Sequence, residues 1–117
     1  MKVCILGNNL TSLVLTKTLS NMGINIDIVY DKEFPIIDKT RTLAISKDNI
    51  DFFNNNILNI NKLLWKINKI EIYNENISNE KIINFQNNIN HLFSMLKNHE
   101  LYDLLKRNLK KKQISKI

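Results

Sequence analysis

The first thirty residues contain three apolar segments separated by Gly7 and Gly23. Their order predicts a strand, a turn, a helix and a second strand. Residues 2–7 form an apolar run that ends at Gly7, and residues 10–22 are rich in Leu, Val and Thr and lack Gly and Pro. Gly23 ends that segment, and residues 24–30 then alternate apolar with polar side chains. This order is typical of the βαβ unit that opens many α/β domains.

The turn after the first strand is a degenerate form of the pattern G-x-G-x-x-G, which binds the pyrophosphate of dinucleotides at a helix N-terminus. It reads Gly7-Asn8-Asn9-Leu10-Thr11-Ser12, so Asn9 and Ser12 replace the second and third glycines. Asparagine tolerates left-handed backbone better than other non-glycine residues, and serine is small. Two interpretations stay open: the turn binds a pyrophosphate, or the βαβ unit is structural and binds nothing.

Two further positions are candidate ligand contacts. A carboxylate at the end of the second strand normally bonds the ribose of an adenosine. In the usual register that residue is Tyr30, and a one-residue slip would bring Asp31 to the ribose; the alternative is a solvated loop acid. Arg41 is the only arginine before Arg107 and lies in a fairly apolar stretch. Such an arginine favours a planar contact with phosphate or carboxylate, or else a surface ion pair with Asp38.

The rest of the chain carries periodic apolar patterns that predict two helices, a short helical piece and three strands. In chain order they are a helix at 47–55, a helical piece near 60–65, strands at 67–73, 81–85 and 91–96, and a helix with apolar positions from 101 to 109. The strands 67–73 and 81–85 form a predicted hairpin. Ser46 and Asn98 are expected to cap the two helices. Phe52, Phe53 and Trp65 are expected in the core.

Composition limits the class of protein. The 117 residues suffice for one modest domain, with 44% hydrophobic and 24% charged residues. The net charge of +6 raises the question of an anionic partner, but the lysines are scattered except at 106–112, and we expect no nucleic-acid binding. That basic cluster suits a helix C-terminus; the alternative is peripheral contact with the inner face of an anionic membrane. Cys4, the only cysteine, is expected to be buried, and we expect a cytoplasmic protein without a metal site.

Four stretches, in this order, resemble the N-terminal part of the FAD-dependent aromatic hydroxylases of ubiquinone biosynthesis, which are related to the p-hydroxybenzoate hydroxylase class of flavoprotein monooxygenases. They are residues 3–23, 40–46 and 64–72 and the pattern Asn98-x-x-Leu101-x-x-x-Leu105. The resemblance implies an α/β fold with a Rossmann-like FAD-binding unit, a helical segment, a hairpin from a substrate-domain sheet and a C-terminal helix. Residues 1–66 would be the FAD-binding portion, 67–96 would begin the substrate domain, and 97–117 would return to the FAD domain with a basic tail.

The resemblance also implies roles for individual residues. Gly7, Asn9 and Ser12 would lie along the FAD pyrophosphate, Arg41 would bind near the flavin or the pyrophosphate, and Asn98 would lie near the cofactor. The family uses NAD(P)H and O₂ to hydroxylate a prenylated phenol. Its members are much longer and carry a later Gly-Asp motif that these 117 residues lack. We therefore expect an incomplete domain that is inactive alone; the alternative is a non-catalytic, degenerate Rossmann-like structural or interaction module.

Overall fold

The computed structural model describes residues 1–31, 37–76, 81–86 and 92–109, with the backbone of 114–116. In chain order the elements are β1 (Lys2–Leu6), α1 (Leu10–Asn21), β2 (Asn25–Val29), β3 (Thr42–Ile45), α2 (Lys47–Asn56), a 3₁₀ turn (Asn61–Leu63), β4 (Trp65–Ile67), β5 (Lys69–Tyr73), β6 (Lys81–Gln86), β7 (Phe93–Lys97), α3 (Asn98–Arg107) and β8 (Ile114–Lys116). The predicted mixed α/β fold class is confirmed. No helix within these ranges is long and apolar enough to cross a membrane.

The opening βαβ unit is confirmed as a parallel sheet with strand order β1-β2-β8. Ile5 of β1 pairs with Ile28 of β2, and both are buried with Ile26. Since successive strand side chains point to opposite faces, Cys4 beside Ile5 is exposed, and the expectation that it is buried is wrong. β8 was not predicted from the sequence, because it is only three residues long and follows the lysine cluster.

A second, antiparallel sheet has the order β3-β7-β4, so the central strand comes last in sequence. The single strand predicted at 67–73 is wrong, because the chain divides at Asn68 and its two halves join different sheets. Ile67 of β4 pairs with Phe93 of β7, whereas Ile70 of β5 pairs with Phe85 of β6. The predicted hairpin is confirmed as β5–β6. Two other parts of the sequence predictions lie outside the described residues: His91, the first residue of the predicted strand 91–96, and the lysines at 110–112.

The main core lies between α1, α3, β7 and the segment after α2. Its buried members are Leu13, Ile57, Ile60, Leu96, Leu101, Tyr102 and Leu105. Ser46 caps α2 as predicted, since its Oγ accepts the backbone N–H of Asn49. Phe53 packs against this core, but Phe52 and Trp65 are 55% and 44% exposed, so their predicted core positions are wrong. The face of α2 that packs against the protein carries Ile50 and Phe53, which are three positions apart, and Phe52 does not lie on that face.

One face of the β5–β6 hairpin carries a cluster of charged and phenolic groups around Glu71. Lys69 and Lys81 form salt bridges with its Oε1, and the Tyr73 hydroxyl donates to its Oε2. Hydrogen bonds from Lys69, then Tyr73 and Lys81, lower the pKa of Glu71 to about 2 from its ordinary value of 4.5. The cluster links both strands of the hairpin through a single carboxylate.

The Glu71 cluster predicts an acid-sensitive hairpin. Because the folded pKa is depressed, the stabilisation is fully present above pH 4.5 and is lost as the pH falls towards about 2. A ¹³C NMR titration of the Glu71 carboxyl should give a midpoint well below 4.5. Glu71→Gln should remove the acid dependence of the hairpin amide shifts between pH 5 and 2, and a midpoint near 4.5 in the wild type would contradict the cluster.

Candidate functional site

The turn after β1 requires glycine at Gly7. Its φ is +104°, a conformation that L side chains rarely adopt, and a Cβ there would meet the Ser12 Oγ at 3.5 Å. The amide of Gly7 donates to the carbonyl of Val29 at 2.7 Å, so the turn is tied to the end of β2. Ser12 is 9% exposed and fills the space between the helix and this turn, as its small size predicts.

Asn9 is the N-cap of α1. Its Oδ1 accepts the backbone N–H of Ser12 at 2.9 Å, and its backbone is extended (φ −72°, ψ 175°). The residue therefore fits the turn as a cap and does not use the left-handed conformation that asparagine tolerates. Helix geometry leaves the amides of Leu10 and Thr11 without intrahelical acceptors, at the positive end of the helix dipole. These two amides are the donors that α1 can offer to an anion.

Arg41 lies immediately before β3 and is exposed. Its amide donates to the Asp38 carbonyl at 3.3 Å, and its carbonyl accepts the amide of Asn98 at 3.0 Å. The Asp38 carboxylate instead accepts the amide and hydroxyl of Thr40, at 2.8 and 2.6 Å. These bonds, with a smaller contribution from Arg41, lower the pKa of Asp38. Among the salt bridges of the described residues none joins Arg41 to Asp38, so the guanidinium remains available for a ligand.

Asn98 is the first residue of α3, and the prediction that it caps this helix is wrong. The N-cap position is Lys97, without a side-chain cap bond, because β7 runs directly into α3 and Asn98 is already the first helical residue. The Asn98 Oδ1 is buried and has no hydrogen-bond partner among the described residues. A buried acceptor without a partner is costly unless a ligand or water donates to it.

Tyr102 is a site residue that the sequence reasoning missed. It lies one helical turn after Asn98, is 5% exposed, and its hydroxyl donates to the carbonyl of Asn8 at 3.0 Å. Burial is the main cause of the raised pKa of Tyr102, so the hydroxyl stays a protonated donor at neutral pH. The i, i+4 spacing from Asn98 was the available signal, since it places both residues on one helix face.

These residues surround a cavity of about 350 Å³ at the start of α1, near the lower end of the range for ligand pockets. It is lined by Asn9, Leu10, Thr11, Ile37, Asp38, Arg41, Asn98 and Tyr102. Three of the predicted site residues, from three distant segments, thus share one cavity. Gly7 and Ser12 form the adjacent turn without lining it, and Asp31 is exposed beyond the end of β2 and does not line it.

The charges around the cavity favour an anion. The guanidinium of Arg41 and the start of α1 are positive, and the Asp38 carboxylate is the one negative group among the lining residues. Within the described ranges no group of three or more His, Cys, Asp or Glu side chains could hold a metal ion. The arrangement can bind a phosphate or diphosphate through backbone amides and a guanidinium.

Comparisons with known proteins find solved structures that are similar to this chain but no matching sequence family. No protein-family model matches this chain, and a search of curated proteins finds no match. Klebsiella pneumoniae HpxO, solved with FAD and uric acid, has a TM-score of 0.73 at 12% identity, over 99% of this chain and 30% of its own. The p-nitrophenol 4-monooxygenase PnpA from Pseudomonas putida has a TM-score of 0.75 at 12% identity, over 98% of this chain and 31% of its own.

A third solved structure, 2,6-dihydroxypyridine-3-hydroxylase from Arthrobacter nicotinovorans, has a TM-score of 0.72 at 9% identity, over 98% of this chain and 28% of its own. At these identities the likeness establishes the fold. The described chain has the fold of one part of such monooxygenases, and it spans less than a third of their length.

Proposed function

We propose that this chain is the FAD-binding portion of a flavin-dependent monooxygenase that hydroxylates an aromatic ring. One observation carries the proposal: the cavity at the start of α1 gathers Asn9, Arg41 and Asn98, on the fold shared with an FAD-bound chain. FAD would supply the redox chemistry, and the protein would bind and orient it. The division into residues 1–66, 67–96 and 97–117 belongs to this proposal.

The residues around the cavity fit the pyrophosphate of FAD. The amides of Leu10 and Thr11 would donate to its oxygens, Arg41 would neutralise its charge, and Gly7 would let the turn bend beside it. The buried Oδ1 of Asn98 would accept a hydrogen bond from a donor on the cofactor. Asp31 would reach the ribose only by the register slip considered above. Arg41 is the side chain whose loss should weaken binding most selectively.

We further propose that the substrate of the monooxygenase is a prenylated phenol of ubiquinone biosynthesis and that its reductant is NAD(P)H. This assignment is supported by the resemblance of four sequence stretches, and the aromatic substrates named for the solved structures are compatible with it. The chain alone should not hydroxylate a substrate, because more than two thirds of the length of those structures has no counterpart here. Contact of the basic residues 110–112 with a membrane stays a prediction.

Arg41→Ala should weaken FAD binding by about ten- to a hundredfold, because a charged hydrogen bond contributes about 1.5–3 kcal/mol. The measurement is quenching of FAD fluorescence by the purified chain. Arg107→Ala is the matched control, since Arg107 is the other arginine, is exposed and lies at the far end of α3. Equal affinities of both variants and the wild type would contradict the role of Arg41.

A second candidate, a non-catalytic Rossmann-like module, is favoured by the cap on α1. The Asn9 side chain occupies the amide of Ser12, which reduces the number of donors left at the helix start. If this candidate is correct, the wild-type chain binds neither FAD nor ADP at high micromolar concentration. Saturable binding that is sensitive to Arg41→Ala excludes it.

A further inference from the structure

Helix α3 contacts the ligand-binding turn through a buried hydroxyl. Tyr102 packs in the main core, and its Oη donates to the carbonyl of Asn8, the residue between Gly7 and the cap Asn9. In the described structure this bond joins the turn to an element other than β2 and α1. The orientation of the Asn8 peptide therefore depends on where α3 places the phenol.

The position of α3 is itself fixed at both ends. At its start, the amide of Asn98 donates to the carbonyl of Arg41 at 3.0 Å. At its end, the Nζ of Lys17, a lysine only 9% exposed on α1, donates to the carbonyl of Asn108 at 3.1 Å. The cation also lies favourably at the negative end of the α3 dipole. α3 is thus hydrogen-bonded at one end to the segment of Arg41 and at the other to the helix that follows the turn.

We infer that Tyr102 is a positioning residue of the proposed diphosphate site, acting through the Asn8 carbonyl on the turn that presents the Leu10 and Thr11 amides. The inference rests on the proposed function. Loss of the hydroxyl removes the Tyr102 hydrogen bond to the Asn8 carbonyl and so weakens the restraint on the orientation that the site needs. The aromatic ring fills the core in either case, so its packing role and its positioning role are separable.

The test compares Tyr102→Phe with Tyr73→Phe in titrations with FAD and with ADP. Tyr73 is the matched control because its hydroxyl bonds Glu71 on the exposed hairpin. We expect Tyr102→Phe to weaken both ligands by about three- to tenfold, in line with one neutral hydrogen bond, and Tyr73→Phe to change neither. Amide hydrogen exchange should rise at residues 8–12 in Tyr102→Phe alone. FAD and ADP are compared because both contain a diphosphate, the group that the turn at residues 8–12 would bind.

Each outcome decides the question. Tyr102→Phe with wild-type affinity for FAD and ADP would overturn the inference and leave the proposed function standing. A loss for FAD but not for ADP would also overturn it, because the hydroxyl would then contact the flavin part. A wild-type chain that binds neither ligand would overturn the proposed function and this inference with it. Tyr102→Met, a second variant without the hydroxyl, replaces Tyr102→Phe if urea unfolding shows the latter to be unfolded.

Discussion

Gly7→Asp is expected to abolish saturable FAD binding, an affinity loss of about a hundredfold or more. Two effects add. A side chain at φ +104° is strained. The new carboxylate would also lie beside the diphosphate, and juxtaposed like charges cost several kcal/mol in recognition. The measurement is the fluorescence titration used for Arg41→Ala.

Gly23→Asp is the matched control for Gly7→Asp. Gly23 also has a positive φ, +78°, but nothing lies within 4 Å of its Cβ position, and it is at the opposite end of α1. The control carries the same added charge and a similar backbone cost, so it should lose stability without losing FAD affinity. Urea unfolding of both variants separates a misfolded chain from a specific loss. FAD binding by folded Gly7→Asp at wild-type affinity would exclude the turn as the phosphate site.

Leu105→Ala is expected to have the largest effect on stability, about 2–5 kcal/mol in the free energy of unfolding. Leu105 has no exposed surface and lies in the main core, on the helix that carries Asn98 and Tyr102. Small domains have about 5–15 kcal/mol in total, so the variant would lose a large part of its stability. Urea unfolding followed by circular dichroism measures the change.

Leu15→Ala provides the comparison for Leu105→Ala. Leu15 is also a helical leucine, on α1, but it is 46% exposed. Its removal should change the free energy of unfolding by about 0.5 kcal/mol or less. If the two variants lose similar stability, α3 does not pack against the core as described. If Leu105→Ala also lowers FAD affinity among molecules that remain folded, the position of α3 matters for the site.

The sequence predicted the local elements better than the way they assemble. The strand, helix and strand around Gly7 and Gly23 were predictable, because glycine and alternation act over a few residues. The break at Asn68 was not, since neither residue type nor period marks the point where a chain changes sheets. Phe52 was misplaced because residues one or two positions apart on a helix point in different directions, so it cannot share the face that carries Ile50 and Phe53.

The candidate site was predictable where a residue type has a particular chemistry. Arg41 was selected because it is an arginine in a lysine-rich chain, and Asn9 by its place in the glycine pattern. Asn98 was selected for the site but assigned the wrong local role, since β7 continues to Lys97 and leaves Asn98 one position inside the helix. Tyr102 was missed because its contact with Asn8 joins residues from opposite ends of the chain, and the i, i+4 spacing from Asn98 indicates only a shared helix face.

The place of β1 in its sheet has a consequence for how this protein behaves in solution. Among the described strands β1 pairs with β2 alone, so its outer edge presents backbone groups to which another chain can add a strand. The net charge of +6 opposes such association through mutual repulsion. That repulsion reaches about 30 Å at 0.01 M ionic strength but only about 8 Å at 0.15 M. Low ionic strength should therefore hinder edge-to-edge association, and physiological salt should weaken this protection.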